Sequence, residues 1–138
     1  MNSYRLAGRI LLCIFFVAAG LNHFISPDVY LSIMPSYLPL PLALVYISGA
    51  AEIVGGIAIL IPALRISASW GLILLLLAVF PANIYTLQSG MRIGGHPVAQ
   101  WILILRLPLQ LLFIYWVYWS CLQKRNIHEA QQDAAANP

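Results

Sequence analysis

Polar residues in this chain fall in short clusters, separated by four apolar stretches at roughly residues 6–26, 41–64, 66–89 and 97–122. An α-helix rises about 1.5 Å per residue, so about 20 apolar residues cross a hydrocarbon core about 30 Å thick. Each stretch meets that length. The pattern predicts an all-α integral membrane protein, an antiparallel four-helix transmembrane bundle over residues 1–125. A proline-rich outer loop joins helices 1 and 2, and residues 126–138 form a polar flexible cytoplasmic tail.

The punctuation between stretches refines this. Ser26-Pro27-Asp28 stops the first helix, because the residue before proline is disfavoured in the α region. Residues 27–41 hold Pro35, Pro39 and Pro41 among Tyr30, Leu31, Ile33, Met34, Tyr37 and Leu38. That is too apolar for a solvated linker and too rich in proline for a long helix. It reads as an outer lid, with Tyr30 and Tyr37 at headgroup level; a packed connector is the alternative. Pro62 ends the second helix, and the short turn to Arg65 makes helices 2 and 3 an antiparallel hairpin. Ala51 and Gly55 have the small-xxx-small spacing that lets helix backbones approach. Their neighbour Glu52 is therefore expected to face protein. Gly90, Gly94, Gly95 and Pro97 mark a flexible outer turn, and the aromatic run 115–119 an interfacial belt.

Composition narrows the function. Charged residues make up 8% of the chain, against about 25% in soluble proteins, so no soluble catalytic domain is expected. The net charge of +3 does not point to nucleic acid, because the basic residues sit at helix ends. Arg5 and Arg9 precede the first helix, Arg65 lies between the second and third, and Lys124 and Arg125 follow the fourth. Arg92 lies in a loop of the other parity. The positive-inside rule puts both termini in the cytoplasm and the first and third loops outside. The N-terminus has signal-peptide features, with Val17-Ala18-Ala19 as a cleavage site. The apolar run continues through Leu21, Phe24 and Ile25, so a retained helix is expected. Cys13 and Cys121 form no C-x-x-C pair and read as packing residues.

Two opposite charges lie inside apolar stretches: Glu52 and Arg106. A charge near the bilayer centre costs at least ~2.5–3.5 kcal/mol. Counting helical rise from the outer boundary puts Glu52 about 15 Å deep and Arg106 about 13 Å deep, level enough for a lateral ion pair. Asn83 lies about 8 Å deep and His23 about 5 Å deep by the same count. Asn22 adjoins His23, and Gln110, four residues beyond Arg106, sits deeper on the same face. Pro81 frees the carbonyl of Leu77 in the third helix. Each helix thus sends a polar group into the outer half. The cluster of His23, Glu52, Asn83, Arg106, Gln110 and Asn22 is expected to be either a buried latch or a ligand pocket closed by the lid. Its catalytic residues, if any, are not legible. No metal site is expected, since His23 and His96 lack further ligands at suitable spacing.

Four motifs in order resemble the DoxX-like family of small four-helix bacterial membrane proteins. Gly20-Leu21-Asn22-His23-Phe24, then Ser26-Pro27, Met34-Pro35 and Leu38-Pro39, resemble its first helix and lid. The run from Ser48 through Glu52 to Gly56 is similar to its second helix, Phe80-Pro81-Ala82-Asn83-Ile84-Tyr85 to its third, and Arg106-Leu107-Pro108-Leu109-Gln110 to its fourth. The likeness covers about residues 5–120. It implies a multi-pass protein of the bacterial cytoplasmic (inner) membrane. The family takes its name from a component linked to terminal oxidase and thiosulfate:quinone oxidoreductase, so quinone is the cofactor implied and a membrane oxidoreductase the partner. The expectation is therefore an accessory redox-associated subunit that binds a quinone or similar lipid-soluble molecule at the polar cluster. With no self-contained catalytic motif, it would be at most a subunit of such an enzyme. Two alternatives stand beside it. One is a structural or assembly factor whose cluster is a latch. The other is a small-solute or proton-coupled carrier, which would need a homo-oligomer because four short helices enclose little volume.

Overall fold

A computed structural model describes residues 3–123, and Lys124, Arg125 and the expected polar tail lie outside the described residues. The elements run α1 (Ser3–Ile25), α2 (Pro27–Leu31), α3 (Pro41–Ala58), α4 (Arg65–Ser89), β1 (Arg92–Ile93), β2 (His96–Pro97) and α5 (Gln100–Val117), with a π-helical turn over Tyr118–Leu122. The described residues are all-α apart from that hairpin of two two-residue strands. Among the described residues four helices are long and apolar enough to cross a membrane: α1, α3, α4 and α5 with its π turn.

Local chemistry explains where these elements differ from expectation. α3 ends at Ala58, not at residue 64. The apolar run continues, but residues 59–64 wind into turns closed by Leu64 N–H to Ile61 O, since Pro62 cannot supply a helical N–H. The lid holds a one-turn helix, α2, with Pro27 in its first turn, where its missing donor costs nothing. The outer turn is an antiparallel hairpin pairing Ile93 with His96. Gly94 and Gly95 have φ of +57° and +83°, as its tight turn requires.

α1 packs most extensively on α3, while α4 bridges α3 and α5. The close α1–α3 approach does not run through Ala51 and Gly55. It uses Gly20 and Gly49: a Cβ on Gly49 would lie 2.6 Å from His23 Cβ and 2.9 Å from the Gly20 carbonyl. Gly55 instead faces Leu72 of α4, and Gly56 faces Phe16 of α1.

Two apolar cores lie at opposite ends. Leu12, Phe16, Ile59, Leu72, Ile73 and Val117 form the larger. Ile33, Met91 and Leu103 form the smaller, tying the lid to the hairpin end of α4 and α5. At the first end Arg5 donates to the Gln123 carbonyl (2.8 Å), Arg9 to the Ser120 carbonyl (2.9 Å) and Arg65 to the Ile59 carbonyl (3.1 Å). Basic side chains there satisfy carbonyls at helix ends, the position that the helix dipole favours.

Candidate functional site

His23 is buried near the end of α1 because Gly20 and Gly49 bring α3 close there. Its Nδ1 lies 2.9 Å from the Val45 carbonyl and 3.0 Å from Ser48 Oγ. The Ser48 hydroxyl itself donates to the same carbonyl over 2.9 Å. A carbonyl only accepts, so Nδ1 carries a hydrogen, shared between Val45 O and Ser48 Oγ. Nε2 then faces Glu52, whose Oε2 is 3.6 Å away. That is beyond hydrogen-bond range, and Oε2 is buried with no hydrogen-bond partner. Glu52 Oε2 and His23 Nε2 thus face each other with no direct hydrogen bond between them.

The lid completes this group. The Tyr30 ring stacks on the imidazole with centroids 3.7 Å apart, and Asn22 Nδ2 donates to the Tyr30 hydroxyl over 3.0 Å. Beside it lies a cavity of about 420 Å³ between lid, α3 and α4. His23, Tyr30 and Ser48 give its wall a polar corner, while Met34, Leu44, Leu75 and Val79 are among its apolar lining.

The six expected residues do not form one cluster. His23 faces Glu52, and Asn22 bonds to the Tyr30 hydroxyl whose ring lies on His23; of the three expected residues His23 lines the cavity. Asn83 and Gln110 pair elsewhere: Asn83 Nδ2 donates to Gln110 Oε1 over 2.7 Å, and Gln110 Nε2 donates to the Leu76 carbonyl. The carbonyl that Gln110 engages is that of Leu76, next to the Leu77 carbonyl that Pro81 frees. Arg106 does not pair with Glu52. Its Nη1 lies 3.4 Å from Met91 Sδ, and His23–Glu52 is the only ion pair among the described residues. The depth count carried no direction around the helices: α3 packs on α1 and α4, α5 on α4.

Ser48 and Tyr30 were missed. From the sequence, Tyr30 is placed only at headgroup level and Ser48 is assigned no site role. The signal was present for Ser48, which lies four residues before Glu52 and so shares its helix face. For Tyr30 no spacing argument reaches across the turn at Pro27. Among the described residues no three His, Cys, Asp or Glu side chains come together as a metal site. Cys13 and Cys121 are free and half-buried.

A family model with the description Domain of unknown function (DUF8561) matches residues 12–121. The chain belongs to the DUF8561 family. The DUF8561 match spans both sides of the cavity, the His23–Glu52 pair, the Asn83–Gln110 pair and Arg106. No curated protein and no solved structure matches the chain.

Proposed function

We propose that this DUF8561 protein is an antiparallel four-span membrane protein that binds a lipid-soluble, carbonyl-bearing small molecule such as a quinone. The ligand lies under the lid, and the protein serves a membrane oxidoreductase as an accessory subunit. The observation that carries the reading is the roofed apolar cavity with one polar corner. Its volume of about 420 Å³ lies in the range of small-molecule sites, which are mostly apolar with a few placed polar groups. The apolar lining takes the ligand body. The Tyr30 hydroxyl, which accepts from Asn22 and keeps its own hydrogen to donate, takes the ligand oxygen at the corner beside His23 and Ser48.

Several features support the membrane setting. Leu74, Leu77, Leu111 and Leu112 stay exposed on the helices, as lipid-facing side chains do. Arg5, Arg9 and Arg65 cluster at one end, which is the cytoplasmic end by the positive-inside rule. The lid and hairpin then face outward. The DoxX-like motif order supports a bacterial inner membrane and a redox partner.

A structural role is favoured for one part only. Asn83 Nδ2 donates to Gln110 and Gln110 to the Leu76 carbonyl, while Asn83 Oδ1 is buried without a partner; this linkage supports a latch between α4 and α5.

Native mass spectrometry of protein extracted gently from its own membrane tests the reading. A stoichiometric quinone that is lost in Glu52→Gln, with the variant still folded, is expected. Bulk phospholipid alone, with a co-purifying protein, would refute ligand binding and favour an assembly factor.

A further inference from the structure

We infer that Arg106 and Arg92 form a binding site for a phosphate group at the hairpin end of the molecule. A guanidinium carries five N–H donors. Arg106 spends one, on a thioether sulfur that is a weak acceptor. The carboxylates among the described residues are Asp28 and Glu52. Neither pairs with Arg106, since Glu52 faces His23 and Asp28 makes no ion pair. A half-buried cation inside an apolar helix has been left without a counter-charge from its own described fold.

The direction of the side chain says where the counter-charge comes from. Helical side chains lean towards the helix N-terminus. Arg106 lies in the seventh position of α5, about 9 Å from its start, and a long cationic side chain can reach back towards a polar boundary. It does so here, touching Met91 at the base of the hairpin. The next residue is Arg92, exposed on β1. Two cations thus flank Met91. Met91 and Arg92 also wall an open depression of about 540 Å³ between lid and hairpin. The Ser32 and Ser89 hydroxyls there donate to the Val29 and Tyr85 carbonyls, so recognition falls to Arg92 in the lining and to Arg106, which reaches the depression at its Met91 wall. Their planar donor forks match paired phosphate oxygens. The phosphate belongs either to an anionic phospholipid headgroup or to a free ion. This site is separate from the cavity under the lid and rests only on the membrane-spanning part of the proposed function.

The test uses the full chain in phosphatidylcholine vesicles doped with spin-labelled phosphatidylglycerol or spin-labelled phosphatidylcholine. The wild type is expected to hold the anionic label in preference to the zwitterionic one. Arg106→Gln should lose that preference on the order of tenfold. Arg106→Lys should retain part of it, and Met91→Leu, which keeps both arginines, nearly all of it. Inorganic phosphate that releases the anionic label, or binds without it, assigns the site to the free ion; no effect of phosphate on a held label assigns it to the headgroup. Equal retention of both labels with no phosphate binding overturns the site, as does an unchanged preference in a folded Arg106→Gln. Protein that fails to float with the vesicles overturns the membrane reading and the site together.

Discussion

Gly49→Ala separates the α1–α3 seam at the point where it positions His23. The added Cβ would lie 2.6 Å from His23 Cβ and 2.9 Å from the Gly20 carbonyl oxygen. Neither neighbour is the free end of a flexible side chain. Restoring ordinary contact requires α1 and α3 to part by about 0.8 Å. The 2.9 Å bond from His23 Nδ1 to the Val45 carbonyl then stretches out of range. Overpacking of this kind costs about 1–3 kcal/mol. Alanine also has an intrinsic helical advantage over glycine of about 1 kcal/mol, which would mask part of the loss. Gly71→Ala is the internal control: a Cβ there meets nothing within 4 Å. The helical term is common to both variants and cancels in their difference. Gly49→Ala should therefore be less stable than Gly71→Ala by about 1–3 kcal/mol. Reversible unfolding of the purified proteins against detergent mole fraction measures this. Equal stabilities would refute the close-packed seam.

Three further outcomes are expected. Gln110→Leu leaves the buried Asn83 Nδ2 without its partner and should cost about 1–3 kcal/mol in thermal unfolding; Asn83→Leu with Gln110→Leu should recover most of it, and no recovery would argue against a latch. Ser48→Ala removes one of the two acceptors that hold His23 Nδ1–H, so titration with a short-chain quinone should weaken by about threefold; unaltered affinity would detach Ser48 from the site. A reporter active only outside the cytoplasm should work when inserted between Gly94 and Gly95 and fail when fused behind the C-terminal tail; the reverse pattern would overturn the proposed topology.

Much of the helical frame was legible because hydropathy and proline positions act locally. Ser26-Pro27 marked the end of α1 to within a residue, and Pro41 marked the start of α3. Hydropathy failed over residues 59–64, where composition stays apolar but backbone hydrogen bonding changes at Pro62. Polar residues in apolar stretches identified His23, Glu52, Asn83, Arg106 and Gln110 as worth locating. Their partners were not legible. Helical rise fixes height along a helix, whereas partner choice depends on which faces meet, and that was set by Gly20 and Gly49. With α1 drawn against α3 there, Glu52 faces His23. Arg106, on a helix packed mainly on α4, is left to Met91.

Photolabelling of the membrane-embedded protein with an azido-quinone, followed by peptide mapping, tests the central claim most directly. The account predicts label on residues that line the cavity, such as Met34, Leu44 and Val79, suppressed by excess unlabelled quinone and reduced in Glu52→Gln. Label spread over the exposed faces at Leu74, Leu111 and Leu112, insensitive to competitor, would contradict it.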